Sequence, residues 1–349
     1  MLSERQLQIF ALIVQHYAAN HVPIGSKRLM EEEGVKASSA TIRNELNFLE
    51  DYGLLLKNHV SSGRIPSLQG FRYYVDHLLK IETLNSALLQ QIRDSLQEQF
   101  VDIGEMVRKS AVALSNLTHY TAFSFGLGPE SQVLTDFRIM MLNPHQALAV
   151  MITDSGHFEN NVVSLPYGVS REDLERLMDV IRDRLLGETM LSVQSKLRTE
   201  FPMILQRYFV DPQSMIELLE DLWRDAFIEE VYVSGRVNLF DSNLISTPLA
   251  LKQLYSFFND SNQVLRLIQE TKVDSDGFGI RIGEELGNEL FLNMTLLTAT
   301  YEIAEHGNGI LAILGPASMQ YNYILSVMSE FCKELSKKSE EYYRYLGKL

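Results

Sequence analysis

The sequence predicts an α+β protein of several domains. Its 349 residues and 39.9 kDa correspond to two or three domains at roughly 100–200 residues each. Apolar residues make up 46% of the chain, enough to fill a core. The hydrophobic period changes along the chain: short helical stripes come first, then strand-like runs, a long helical stretch, strands again and a final helix. The longest purely apolar runs, 147–152 and 310–314, fall far short of the roughly 20 residues a membrane helix needs, so no membrane partner is expected. The first residues carry no basic region followed by an apolar stretch, as a secretory signal would. The lone cysteine, Cys332, excludes an intrachain disulfide and a cysteine-based zinc cluster. These features fit a reducing cytoplasm, where the Asn-x-Thr triplets at Asn116 and Asn293 carry no meaning.

Phe10, Ile13, Val14 and Tyr17 recur at three- and four-residue steps and place one stripe on a helix over 4–19. Pro23 and Gly25 break it. Ser26 stands where an N-cap belongs, for a short helix over 27–33 that Gly34 ends. Ser38 or Ser39 caps a third helix, through Leu49 to about Tyr52, stopped by Gly53. Residues 54–57 read as a strand. The polar stretch 58–66, with a turn glycine and a closing proline, makes a hairpin with an exposed tip. Phe71, Tyr74, Val75 and Leu78 restore a helical stripe, and 85–117 reads as a linker helix.

Short β-favouring runs follow at 121–127, 137–142, 147–153 and 161–165, separated by Asn143-Pro144 and Asp154-Ser155-Gly156, which suggests a mixed antiparallel sheet. From 169 to about 251 the pattern is mainly helical, with stripes at Leu174, Leu177, Val180 and Ile181 and at Met215, Leu218, Leu219 and Leu222; only 231–239 reads as strand. A helix over 251–269, strands at 279–282, 292–301 and 309–314, and a helix over 320–345 complete the chain. Sheet, helix, sheet is the order an insertion into one α/β domain produces, and two separate domains fit it also.

Three short helices followed by a two-stranded wing are the outline of a winged helix-turn-helix. In the third helix Ile42, Leu46 and Leu49 fall on one side, while Ala40, Arg43, Asn44 and Asn47 cluster opposite. Arginine is the usual bidentate reader of guanine and asparagine reads adenine, so the outer face carries the side chains direct readout needs. Ser38, Ser39 and Thr41 stand in the first turn, whose free amides suit a phosphate. In the wing, Lys57, Asn58, His59, Ser61, Ser62, Gly63 and Arg64 form a cluster without an acid, with Arg64 expected on phosphate and Gly63 letting the backbone approach. The net charge of −14 argues against a polyanionic partner until its distribution is read. Residues 1–80 hold nine Lys and Arg against eight Asp and Glu; the rest holds 22 against 37. A near-neutral head on an acidic body suits a protein in which only the head approaches nucleic acid.

The motifs Ser38-Ser39-Ala40-Thr41-Ile42-Arg43-Asn44-Glu45, Leu49-Glu50-x-x-Gly53-Leu54, His59-x-Ser61-x-Gly63-Arg64-x-Pro66 and Gly70-Phe71-Arg72-Tyr73-Tyr74-Val75-Asp76 closely resemble those of the heat-inducible transcription repressor family HrcA. Glu4-Arg5-Gln6, Pro23-x-Gly25-Ser26-Lys27, Ile282-Gly283-x-Glu285 and Gly315-Pro316-x-x-Met319 extend the resemblance over nearly the whole chain. Asn58, Val60 and Ala317-Ser318 depart from the family's usual residues. The resemblance implies a homodimeric repressor of chaperone operons that binds the inverted-repeat operator CIRCE and depends on the GroE chaperonin. It also implies a GAF-like domain interrupted by a mainly helical dimerising domain. The expected division is a winged helix over 1–80, a linker helix over 81–120, GAF-like parts over 121–168 and 251–349, and the dimerising insertion over 169–250.

An alternative is a small-molecule-responsive regulator in which Tyr301, His306, Asn308 and Tyr321 line a GAF-type pocket. Asp274-Ser275-Asp276-Gly277 is an incomplete calcium loop, and His119, His145 and His157 lack metal-type spacing. With no nucleotide loop, nucleophile elbow or metalloprotease motif, neither catalysis nor a cofactor is expected.

Overall fold

The computed structural model describes residues 2–31, 35, 37–57, 63–97, 100, 102–128, 131–223, 226–227, 231–241 and 247–347. It is a mixed α/β protein whose chain forms a head, a body and an insertion. The head begins with α1 (Glu4–Asn20), α2 (Ser26–Glu31) and α3 (Ser39–Asp51), followed by the antiparallel pair β1 (Leu55–Lys57) and β2 (Arg64–Pro66), and ends in α4 (Leu68–His77). Ser3 starts α1 with a capping box, and Ser38 caps α3 by accepting from the Thr41 amide. Gly53 takes the left-handed conformation that ends α3, as its position predicts. The proposed helix end at Gly34 lies outside the described residues, as do Asn58, His59, Ser61 and Ser62 of the wing tip.

The body is a five-stranded antiparallel sheet in the order β7-β3-β10-β9-β8, formed by β3 (Thr121–Phe125), β7 (Val231–Ser234), β8 (Phe278–Ile282), β9 (Met294–Glu302) and β10 (Asn308–Pro316). One face carries α6 (Ile103–Thr118) and α14 (Tyr321–Tyr345); the other packs against α12 (Pro248–Phe258) and α13 (Ser261–Gln269). The 85–117 stretch expected as one linker helix is two helices, α5 (Ser86–Ser95) and α6, and α6 is a body element with Met106, Val107 and Leu114 buried. Its amphipathic stripe is the mark of a packed helix. The helix expected over 251–269 is likewise two, because Asp260 caps a new one.

The strands β4 (Leu134–Asn143), β5 (Gln146–Thr153) and β6 (Phe158–Ser164) form a separate sheet. The sequence division assigns them to the first GAF-like part; in the structure they pack on α7 (Arg171–Leu185), α8 (Met190–Thr199), α9 (Phe201–Tyr208) and α10 (Pro212–Trp223), around a core of their own that includes Phe137, Leu177, Ile181, Phe201 and Trp223. The interruption therefore runs from Leu134 to about Phe227, and it joins a sheet to the helices. Strand β7 and α11 (Asn238–Asp241), expected inside it, belong with the body, because β7 pairs with β3. Alternation along β4–β6 revealed strands but not which sheet each would join, a choice made by long-range packing.

Candidate nucleic-acid interface

The third helix carries the surface. Ile42, Leu46 and Leu49 are buried under it, against α1 and the wing. Ala40, Arg43, Asn44 and Asn47 are exposed together on the opposite side, as the helical arithmetic predicts. Ser38 is exposed, its hydroxyl 2.8 Å from the Thr41 hydroxyl, and Ser39 is half-buried, 3.2 Å from the Ser26 hydroxyl. That second contact ties the first turn of α3 to α2. Gln6 donates to Glu45 at 2.8 Å and ties α3 to α1.

The wing residues divide into two kinds. Lys57 is exposed at the end of β1. Gly63 and Arg64 are buried. A Cβ on Gly63 would stand 2.8 Å from Cβ of Pro23, so the glycine admits the chain between the wing and the turn before α2. The Arg64 amide donates to the Ile24 carbonyl at 2.9 Å and the Ile24 amide returns the bond at 3.2 Å. The Arg64 guanidinium, 9% exposed, meets Glu50 at 2.7 Å and the Asn47 oxygen at 3.0 Å. The expected solvent-facing phosphate ligand is thus a bridge from the wing to α3. The pairing of Arg64 with Glu50 is invisible in the sequence because it forms across the fold.

A stripe of exposed side chains continues from Asn44 along α3. Phe48 and Tyr52 are exposed and stack at 6.1 Å between centroids. The i, i+4 spacing from Asn44 was the available signal.

The head rests firmly on the body. Tyr74 donates to Asn322 at 3.1 Å and accepts from Gln15 at 3.2 Å; Asn322 in turn donates to Glu82 at 2.8 Å, and the Glu82 amide to Ser326 at 2.8 Å. Arg72 donates to the Ile280 carbonyl at 3.0 Å and to Glu285 at 3.3 Å, and Phe71 packs beside Tyr321. The motifs at 70–76 and 282–285 and the start of α14 therefore meet at one joint.

The chain matches the family model described as the HrcA protein C terminal domain over residues 104–325. It is 45% identical to the heat-inducible transcription repressor HrcA of Enterococcus faecalis, over 99% of this chain and 100% of that one. It is 45% identical to the HrcA of Tetragenococcus halophilus, over 99% and 98%. The chain belongs to the HrcA family. Among solved structures, one described as a hypothetical protein superposes with a TM-score of 0.68 at 21% identity, covering 98% of this chain and 99% of that one, which supports the fold alone.

Set beside family membership, the alternative ligand pocket does not assemble. Tyr301 donates to the Phe125 carbonyl at 3.1 Å and Tyr321 to the Ala317 carbonyl at 2.7 Å, both deep in the core. Burial pushes both phenols well above their ordinary range. His306 stacks on Tyr343 and faces Asp154 at 3.3 Å, which seats the insertion's β5–β6 turn on the body, while Asn308 is exposed. Asp274 accepts from the amides of Asp276 and Phe278, the bonding of an ordinary turn. His119 ends α6, His145 is exposed between β4 and β5, and His157 stands 3.5 Å from Glu159.

Proposed function

We propose that this chain represses chaperone operons by binding, as a homodimer, an inverted-repeat operator of the CIRCE type, with α3 as the reading helix. HrcA-family membership makes it a negative regulator of heat-shock transcription and not an enzyme. The observation that carries the finer reading is the outer face of α3, where Ala40, Arg43, Asn44 and Asn47 stand exposed over a buried apolar face. In this reading the head is a winged helix-turn-helix, the five-stranded body is GAF-like, and the interruption is the dimerising part. Twofold symmetry of the protein then matches twofold symmetry of the operator.

The dimer is supported by the outward face of the β4–β5–β6 sheet. Met140, Leu142, Phe158 and Val162 are about half exposed there, and register places Leu148, Val150 and Ile152 between them. Arg138, paired with Asp136, and Asn160 share this face, and a face so rich in exposed apolar side chains marks an interaction surface. Among the described residues no helix is long and apolar enough to cross a membrane. The proposed location is the cytoplasm.

Control by the GroE chaperonin is part of the proposal and rests on the family: mild heating should reduce operator occupancy, and chaperonin should restore it. The deciding experiment is an anisotropy titration against a CIRCE-type duplex and a scrambled duplex at one near-physiological salt concentration. A preference of roughly a thousandfold supports the reading. Equal weak binding by folded, dimeric protein would overturn it.

A further inference from the structure

Arg64 occupies a position that decides how Asn47 meets DNA. A guanidinium has five N–H donors and no acceptor, so the atom of Asn47 that faces it is the amide oxygen. That contact is 3.0 Å long, and the same Nη2 stands 2.7 Å from Glu50. Paired backbone bonds to Ile24 hold Arg64 from behind. The Asn47 oxygen is therefore turned toward the wing while its side chain remains exposed on the reading face, and its NH2 makes no hydrogen bond to another described residue. Glu50 is meanwhile paired with the same cation.

We propose that Arg64 is a positioning residue that makes Asn47 a hydrogen-bond donor to an acceptor on the operator. This rests on the reading of α3 as the DNA-contacting helix. Bidentate recognition of adenine requires an amide to donate and accept in one plane, and the oxygen needed for accepting is engaged with the wing. The acceptor is a phosphate oxygen or a base acceptor such as purine N7.

The test uses the full chain on operator and scrambled duplexes, with Arg43→Ala as the control. Asn47→Ala should weaken operator binding about tenfold, the effect of one lost hydrogen bond. Arg64→Lys keeps a cation but loses the planar guanidinium whose Nη2 holds two N–H bonds in fixed directions, one toward Glu50 and one toward Asn47; it should weaken binding similarly. Combined with Asn47→Ala it should add nothing further. Arg64→Met with Glu50→Gln removes the ion pair without stranding a charge. Its salt slope should equal that of the parent, whereas a lost phosphate contact would lower the slope by about one.

A loss from Asn47→Ala that is uniform over all duplexes assigns a phosphate acceptor; a loss confined to one base position assigns a base edge. Either supports donation. Additive effects of Arg64→Lys and Asn47→Ala, or the reduced salt slope, would overturn the proposal while leaving operator binding intact. So would a parent protein that loses affinity when one adenine is replaced by purine, which lacks the 6-amino group, if Asn47→Ala abolishes that loss. A parent protein with no operator preference, indistinguishable from Arg43→Ala, would bring down the DNA reading itself.

Discussion

Arg43 stands exposed in the middle of the reading face. If it pairs with a guanine edge, Arg43→Ala should cost roughly 1–3 kcal/mol of operator binding and relax the preference at one base position, measured by titration of single-substitution duplexes. Cys332 is partly buried on α14. Burial pushes its thiol up to about 12, so the native protein should react with a thiol reagent at pH 8 far more slowly than the denatured protein, followed by absorbance. At this scale the sequence is informative wherever residue type and helical phase suffice, as for Ile42, Leu46 and Leu49 under α3. It is silent where a side chain's role depends on what the fold sets opposite it. Arg64 looks like a phosphate ligand in a string of polar wing residues, and only the approach of α3 makes it a bridge.

Helix starts were readable because Ser38 carries its signal in the adjacent sequence. The split between α12 and α13 was not read, although Asp260 supplied the cap, since apolar residues run through both helices. The Asp260 carboxylate accepts from the Gln263 side chain and from the Gln263 and Asn262 amides, which holds it below the usual range. A lowered carboxylate stabilises the fold above its unfolded value near 4, and that contribution is lost as pH falls through the lower folded value. Asp260→Asn should therefore lower Tm near neutrality and change it little in acid, so that a plot of Tm against pH, read by circular dichroism, is flatter than the parent's. Sheet membership is a further property of elements that local pattern does not contain, and it moved β4–β6 into the insertion. If the outer face of that sheet is the dimer interface proposed above, Val162→Lys should give folded monomer, seen by light scattering, and weaken operator binding at nanomolar protein.

For the whole molecule, the order sheet, helix, sheet is compatible with one interrupted domain or with two, and the extent of each core depended on which strands entered it. The residues that seat the head on the body were quoted as motifs without a role, because Arg72 and Glu285 are more than 200 positions apart in sequence. In the proposed dimer, heads seated in this way are held at a separation set by the body and the insertion. Moving the half-sites apart by one base pair rotates one against the other by about a tenth of a turn. Operators lengthened by one to four base pairs should bind progressively more weakly than the parent spacing, and Phe71→Ala, which loosens the joint, should narrow the difference. Competition titrations measure both.

The bond from the Glu82 amide to Ser326 fastens the strand of chain that leaves the head. A repressor on slack tethers searches for its second half-site and tolerates irregular spacing. One whose tether is pinned works as a gauge, cut to a single length.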